Sequence, residues 1–164
     1  MPAEFMLRDY RDGDAGAVNA LALAAFAQYQ TDYDDWPGFA GKIAAMSALS
    51  ASAELIVAAR GDRLVGAVAY VAPRAAKAAF FDPAWAVVRM LVVAPDCRGM
   101  GIGRALALAC ESRARRDGAA IMALHTSPIM EVALGMYLRM GFAELGAVAP
   151  IHGVPYGVYT KSLP

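Results

Sequence analysis

The chain alternates runs of consecutive apolar residues with segments in which apolar residues recur every three or four positions. This alternation predicts a mixture of strands and helices. A short strand is expected at 5–8. The spacing of the next apolar stripe predicts a first helix through Val18, Leu21 and Ala25. Pro37 and Gly38 break the pattern, and a second, shorter helix is expected from the spacing of Ile43, Met46 and Leu49.

The middle of the chain has the pattern of strands. Two β-rich runs flank Gly61 and Asp62, a dipeptide typical of a tight turn, and predict an antiparallel hairpin. The run at 86–94 is almost continuously β-branched or long and apolar, which is typical of a central strand buried on both faces. The alanine-rich residues 74–85 are expected to form a loop before that strand.

The last third of the chain predicts two more helices and three strands. One helix follows a glycine-rich stretch near residue 100 and stops at Gly118, and another is capped by Ser127 and ended by Gly141. The strands are expected at 119–126, 142–148 and 156–163. No linker, repeat or charge block marks a boundary, so residues 1–164 are expected to form one domain.

Composition argues against several classes of protein. With 59% hydrophobic and 18% charged residues, the chain is too apolar to be disordered. The net charge of +0, with no basic run longer than residues 113–116, argues against a nucleic-acid partner. No stretch approaches the roughly 18 uninterrupted apolar residues of a membrane span. The first residues lack the pattern of a secretory signal, so a cytoplasmic location is predicted.

Metal and disulfide chemistry are not expected. Cys97 and Cys110 are too few for a disulfide framework and lack metal-ligand spacing, so both are expected to be reduced thiols. His125 and His152 stand alone in the sequence. The sequence therefore predicts no metal site.

Three glycines alternate behind the predicted central strand, in the stretch CRGMGIGRAL at 97–106. The order strand, glycine turn, helix leaves the free N–H groups of the first helical turn available to an anion, which the helix dipole also favours. A side chain at Gly101 or Gly103 would keep phosphate oxygens from these donors, and Arg98 and Arg104 add positive charge. The stretch predicts a phosphate site. The alternative is a turn that only packs the helix closely on the sheet.

Two nucleotide-binding motifs do not fit this stretch. The P-loop needs Gly-Lys-Ser/Thr where this chain has Gly-Arg-Ala, and the dinucleotide fingerprint needs its third glycine one residue later. The residues Arg98, Gly101 and Gly103 instead resemble the R/Q-x-x-G-x-G/A turn of the GCN5-related N-acetyltransferases, the GNAT superfamily. The segment ALGMYLRMGF at 133–142 is similar to that family's second motif, so the resemblance spans 86–142.

The resemblance implies a fold, a reaction and a cosubstrate. The fold would be α+β, with a central mixed, mostly antiparallel sheet flanked by about four helices. The chain would transfer an acetyl group from acetyl-coenzyme A to a primary amine of a small molecule or to an exposed amino group of a peptide. In the family the backbone of the position at Leu91 polarises the thioester, and that at Val93 pairs with pantetheine. The implied cofactor-binding residues are Leu91, Val92, Val93, Arg98, Gly99, Met100, Gly101, Ile102, Gly103 and Arg104.

Tyr137 is the candidate catalytic residue. It shares one helical face with Met130 and Ala133, and the family places a tyrosine at this position beside the coenzyme A sulfur. A neutral phenol is a competent proton donor to a departing thiolate. The alternative is a tyrosine that only packs between helix and sheet.

The chain departs from the family pattern at two positions. Met130 stands where many relatives carry an asparagine that holds pantetheine, and Val87 stands where some carry a glutamate base. The general base therefore stays open among His125, Glu54 and a chain of water molecules.

The stretch YQTDYDDW at 29–36 is the candidate acceptor loop, because relatives commonly build part of the acceptor site there. Tyr33, Asp34, Trp36 and His125 are the candidate substrate residues. Carboxylates among aromatic rings attract a cation; the alternative is a solvated loop with Trp36 in the core. A noncatalytic acyl-coenzyme A sensor or interaction module of the same fold is the alternative function, and the oligomeric state, a homodimer included, is left open.

Overall fold

The computed structural model describes residues 4–164, which contain one seven-stranded sheet. The strand order is β1-β2-β3-β4-β5-β7-β6, and only the β4–β5 pair is parallel. This confirms the mixed, mostly antiparallel sheet of an α+β fold. The strands are β1 Met6–Asp9, β2 Glu54–Arg60, β3 Arg63–Val71, β4 Ala86–Val93, β5 Ile121–Thr126, β6 Ala143–Ile151 and β7 Val154–Ser162.

Four α-helices in this part of the chain cover the sheet: α1 Ala15–Phe26, α2 Trp36–Ile43, α3 Ile102–Arg116 and α4 Glu131–Arg139. Helices α1 and α3 both pack on β3 and β4, from opposite faces. Gly66 and Tyr70 of β3 point to the α3 face, where the Tyr70 hydroxyl donates to Asp117 at 2.7 Å. No helix within residues 4–164 is long and apolar enough to cross a lipid bilayer.

The pairing of β4 with β5 stops early. Only Ala86 with Met122 and Val87 with Ala123 are partners, so residues 88–93 and 124–126 separate beyond that point. A bulge in β4 lies here: Met90 has a φ of 55°, and the β3–β4 register shifts between Ala67 and Ala69. The wedge is defined here as the gap between these two strand ends. Their facing backbone groups have no partner strand across it.

Two predicted elements differ in the structure. The second helix begins at Trp36, because Pro37 in a first helical turn gives up no hydrogen bond and Asp35 caps the helix by accepting from the Gly38 N–H at 3.3 Å. The stretch Met46–Ala51 forms a 3-10 segment instead of continuing that helix. Ser127 caps the turn before α4 rather than the helix itself.

The central strand β4 is not buried throughout as predicted. Its first three residues are buried, but Arg89 is exposed and Met90, Leu91 and Val93 are half-buried. The separation of β5 explains the change, since the second half of β4 has a neighbouring strand on one side only. Apolar composition therefore marks the strand but not its open edge.

Candidate functional site

The glycine turn between β4 and α3 requires glycine for its backbone conformation. Gly99 and Gly101 have φ of 80° and 82°, in the left-handed region, where a residue with a β-carbon costs about 1–2 kcal/mol. A β-carbon at either glycine would meet no atom within 4 Å. The turn is thus open toward its surroundings, and its sequence is set by dihedral angles rather than by close packing.

The start of α3 presents unpaired donors beside this turn. The helix begins at Ile102, so the N–H groups of Ile102, Gly103 and Arg104 have no acceptor within it, and Gly101 has no side chain to cap them. Arg104 is exposed. Arg98 is also exposed, with Nη2 3.4 Å from the carbonyl oxygen of Ala25. Three N–H groups, the helix dipole and two guanidinium groups suit an anion with several oxygens, such as a pyrophosphate.

Three elements meet at Gly103, where α3 passes the wedge. A β-carbon on Gly103 would lie 3.5 Å from Leu91 Cδ2, 3.7 Å from Val93 Cγ2 and 3.8 Å from Met136 Sδ of α4. The structure therefore brings together residues of β4, α3 and α4 that are far apart in sequence. Val92 alternates to the other face and is buried.

The remaining predicted cofactor residues have mainly structural contacts. Ile102 is 1% exposed and packs over Gly66 of β3. Met100 is half-buried, and its sulfur accepts a hydrogen bond from Arg60 at 3.6 Å. Their side chains hold the turn against the sheet, so any part they have in binding runs through their backbone. The cofactor role of the ten residues stays a prediction.

Tyr137 lies on α4 and is 6% exposed. Burial, helped by nearby Cys110, raises the pKa of its phenol because the phenolate would lose its hydration. Its ring packs edge-on against Phe142, with centroids 5.7 Å apart. Met136, the preceding residue, reaches Gly103 at the wedge. With its pKa raised, the phenol stays protonated near pH 7, as a general acid must, and its catalytic role stays a prediction.

The structure narrows the candidates for a general base. Val87 is buried, and Glu54 lies on the α3 face, where it accepts from Arg113 at 2.7 Å and from Arg116 at 2.9 Å. His125 lies on the opposite face. Burial and then Arg89 lower the pKa of His125 to about 4, so its imidazole is neutral near pH 7. A neutral imidazole or a water chain remains as the proton acceptor.

The predicted acceptor loop packs against the β6–β7 hairpin. Tyr33 is buried, stacks on Phe39 at 4.1 Å and shares a hydrogen bond of 2.5 Å with the hydroxyl of Tyr156. Trp36 is half-buried, with its ring 6.3 Å from that of Tyr33. The Asp34 N–H donates to the carbonyl of His152 at 2.7 Å. These contacts favour the packing alternative for the aromatic rings, and the substrate role of this loop stays a prediction.

Sequence reasoning missed three side chains that surround His125. Tyr156 and Phe80 lie with their ring centroids 5.3 Å from its imidazole, and Arg89 is close enough to affect its charge. Arg89 is the single charged residue inside the apolar run AVVRMLVVA, a signal that points to an open side of the strand. Phe80 and Tyr156 carried no such signal, because only the tertiary fold brings their segments to β5.

Solved structures share this fold over nearly the whole chain. A GCN5-related N-acetyltransferase from Rhodopseudomonas palustris is 24% identical with a TM-score of 0.73, and the match covers 96% of this chain and 95% of that one. Another from Kribbella flavida is 22% identical with a TM-score of 0.73, over 99% and 100% of the two chains. An acetyltransferase proposed in Salmonella typhimurium, solved with its cofactor acetyl-CoA, is 17% identical with a TM-score of 0.68, over 98% and 95%.

No curated protein sequence matches the chain. The sequence model of the acetyltransferase (GNAT) family matches residues 17–142, a range that runs from α1 through the glycine turn and α4 to the residue before β6. Because this match covers more than half of the chain, it shows that the chain belongs to the acetyltransferase (GNAT) family.

Proposed function

We propose that the protein is an N-acetyltransferase that moves the acetyl group of acetyl-coenzyme A to a primary amine. The observation that carries the proposal is the wedge. The unpaired N–H groups at the start of α3 lie beside it, and so does Met136 of the helix that carries Tyr137. A phosphate-rich cosubstrate with a long, thin arm suits this shape. Its pyrophosphate fits the glycine turn, and its arm fits the unpaired edge of β4.

The protein offers groups that polarise the thioester and protonate the departing thiolate, and the base stays open between His125 and a chain of water molecules. Bound acetyl-coenzyme A supplies the thioester. The unpaired edge of β4 offers backbone N–H groups, Leu91 among them, that polarise a carbonyl. The amine nitrogen forms a bond to the acetyl carbon as the carbon–sulfur bond breaks. Tyr137 donates its phenolic proton to the departing thiolate, and a base on the acceptor side takes the proton that the amine loses.

The acceptor enters from the face opposite α3. That face carries His125, Tyr156 and Tyr33, and α1 and α2 cover the adjoining part of the sheet. Small-molecule amines and exposed amino groups of peptides both remain acceptors under the proposal. Neutral His125 suits an amine that arrives unprotonated.

The glycine turn tests the proposal through binding. Gly101→Val places a β-branched side chain beside the α3 donors in a left-handed backbone, and Gly103→Val fills the point where β4, α3 and α4 meet. Either variant should weaken the affinity for acetyl-coenzyme A at least tenfold, which is about 1.4 kcal/mol, measured by calorimetric titration. Wild type should release free thiol when acetyl-coenzyme A is mixed with a panel of primary amines.

Gly118→Val is the matched control. Gly118 also has a left-handed backbone, with φ of 71°, and a β-carbon there would meet no atom within 4 Å. It follows α3 at the end opposite the glycine turn, so its substitution should cost stability without changing affinity for acetyl-coenzyme A. If wild type and the three variants bound acetyl-coenzyme A with equal affinity, and circular dichroism showed that all four were folded, the proposed cosubstrate site would be wrong. Binding without thiol release over the whole panel would instead support an acyl-coenzyme A sensor.

A further inference from the structure

Arg89 and His125 face each other across the opening of the wedge. The last paired residues of the two strands are Val87 and Ala123, and Arg89 and His125 each stand two residues further along a parallel pair. Side chains alternate with a period of two, so both lie on the face of Val87 and Ala123. Phe81, which packs in the cluster of Val87 and Ala123, also lies 6.0 Å from the His125 ring, in agreement with that face.

The guanidinium of Arg89 has no partner in the described chain. It is exposed, and no carboxylate within residues 4–164 forms an ion pair with it. An isolated cation in an otherwise apolar strand gains nothing from packing or from an ion pair within the fold. Its placement at the open side of the wedge gives it access to a ligand.

The neighbours of Arg89 add no competing charge. His125 is neutral near pH 7, and Tyr156 is a phenol engaged with Tyr33. The segment that carries Phe80 has two cations. Lys77 donates to three backbone carbonyls, those of Ala72, Ala75 and Pro83, and Arg74 lies near the starts of β4 and β5. The side chains around His125 therefore combine the positive charge of Arg89 with an aromatic ring, Phe80, that is 41% exposed.

Two of the three carboxylates of the predicted acceptor loop have contacts away from Arg89, and the third, Asp32, is exposed. Asp35 caps α2 through the Gly38 N–H. The carboxylate of Asp34 lies against the β6–β7 turn, where a β-carbon on Gly153 would be only 2.3 Å from Oδ2. Arg89 is the charged side chain that β4 itself carries beyond its last pair with β5.

We propose that the acceptor is a primary amine that also carries a carboxylate, such as an α-amino acid with an apolar side chain, and that Arg89 binds this carboxylate. This rests on the acetyl transfer proposed above. A guanidinium binds a carboxylate with two parallel hydrogen bonds, and its single charge balances a monoanion, whereas a phosphate would call for a second cation. Phe80 offers an apolar surface to the side chain of the acceptor.

The spacing on β4 suits this assignment. Arg89 stands two residues before Leu91, whose backbone is assigned to the thioester carbonyl in the proposed reaction, and the bulge at Met90 lies between them. The amine and carboxylate of an α-amino acid are held by one carbon atom. With the carboxylate held by Arg89, the amine stays within reach of the acetyl group, so the contact would orient the acceptor as well as bind it.

Matched acceptor pairs test the proposal. Thiol release is measured for phenylalanine against phenylalaninamide and for leucine against leucinamide. Each pair keeps the side chain and differs in the carboxylate. Because the carboxylate also makes the amine more basic, kcat/KM is expressed per unprotonated amine. Wild type should show the higher kcat/KM for each acid. Arg89→Gln should lower kcat/KM for the acids by 10- to 100-fold and leave kcat/KM for the amides and the KM for acetyl-coenzyme A nearly unchanged. The kcat/KM of Arg89→Lys for the acids should lie between those of wild type and Arg89→Gln.

Arg74→Gln is the control for loss of one positive charge. Arg74 is exposed and lies beside Trp85 and Ile121, near the starts of β4 and β5 rather than at the wedge. It should leave both acceptor series unchanged. Equal use of acids and amides by wild type, or an equal fall for both in Arg89→Gln, would overturn the proposal.

A second measurement separates this proposal from the proposed reaction. Calorimetric titration of phenylalanine into the protein saturated with coenzyme A reports on the Arg89 site without turnover. If phenylalanine binds wild type but not Arg89→Gln, and no amine causes thiol release, the carboxylate site is supported and acetyl transfer is contradicted. If amides and peptides cause thiol release but phenylalanine does not bind, acetyl transfer is supported and the carboxylate site is contradicted.

Discussion

At the residue scale, the environment of Tyr137 determines what its side chain can donate. The ring is buried between α4 and α3, and burial raises its pKa because a phenolate would lose hydration. The phenol therefore keeps its proton throughout the neutral range. Such a phenol can donate its proton to a thiolate, and it is protonated in every folded molecule.

We expect Tyr137→Phe to keep the packing and remove the proton. Turnover should fall by roughly 10² to 10⁴, while the affinity for acetyl-coenzyme A should change little. The measurement is the single-turnover rate of thiol release, where chemistry limits. Phe142→Leu, which alters the ring that packs against Tyr137, is the control for a packing effect. A wild-type rate in Tyr137→Phe would leave Tyr137 as a packing residue.

At the element scale, α3 is positioned by its close approach to β3. A β-carbon on Gly66 would lie 2.6 Å from Ile102 Cγ2 and 3.0 Å from Leu106 Cδ1, so only glycine allows the helix to lie at this distance. Ile102 is also the first residue of α3, directly after the glycine turn. The position of the helix and that of the candidate anion site are therefore coupled.

We expect Gly66→Ala to lower the free energy of unfolding by about 1–3 kcal/mol, because Ile102 is β-branched and has little freedom to move away. It should also weaken binding of acetyl-coenzyme A, since the start of α3 shifts. Urea denaturation and calorimetric titration measure the two effects. Gly41→Ala in α2, where a β-carbon meets nothing within 4 Å, should instead stabilise the fold slightly. Equal stability of the two variants would contradict the packing argument.

At the scale of the whole molecule, one partly buried histidine links folding to pH. His125 lies among Phe80, Phe81 and Tyr156, with Arg89 across the wedge, and its pKa is lowered to about 4. In an unfolded chain its pKa returns to about 6.5. Between these values the unfolded chain binds a proton that the folded protein does not, so this contribution to stability is complete above pH 6.5 and is lost as the pH falls toward 4.

We expect the free energy of unfolding to fall between pH 6.5 and pH 4 with a contribution from His125 of at most about 1.4 kcal/mol per pH unit. His125→Gln should remove that contribution while other titrating groups keep theirs, so the two proteins are compared at each pH by urea denaturation. At pH 8 the comparison isolates the packing effect of the substitution. An NMR titration of His125 with a midpoint near 6.5 would contradict the expectation.

The order of most elements was predictable from local pattern, but two boundaries were not. The apolar stripe of α1, the hairpin at Gly61 and the strand 86–94 were read directly from the spacing of apolar residues. The start of α2 was placed too late, since Pro37 was interpreted as a break although it stands in the first turn. A proline indicates an end or a start of a helix equally well, and only the cap at Asp35 distinguishes them.

The sequence by itself determined the family, the strand and helix order and the glycine turn, because left-handed dihedral angles and apolar periodicity are properties of neighbouring residues. The tertiary structure alone decided which side chains share a site. Separation of β4 from β5 placed Arg89 opposite His125, and the hairpin brought Tyr156 to Tyr33, a residue 123 positions away in sequence. Such contacts depend on strand order and register, which no local pattern encodes.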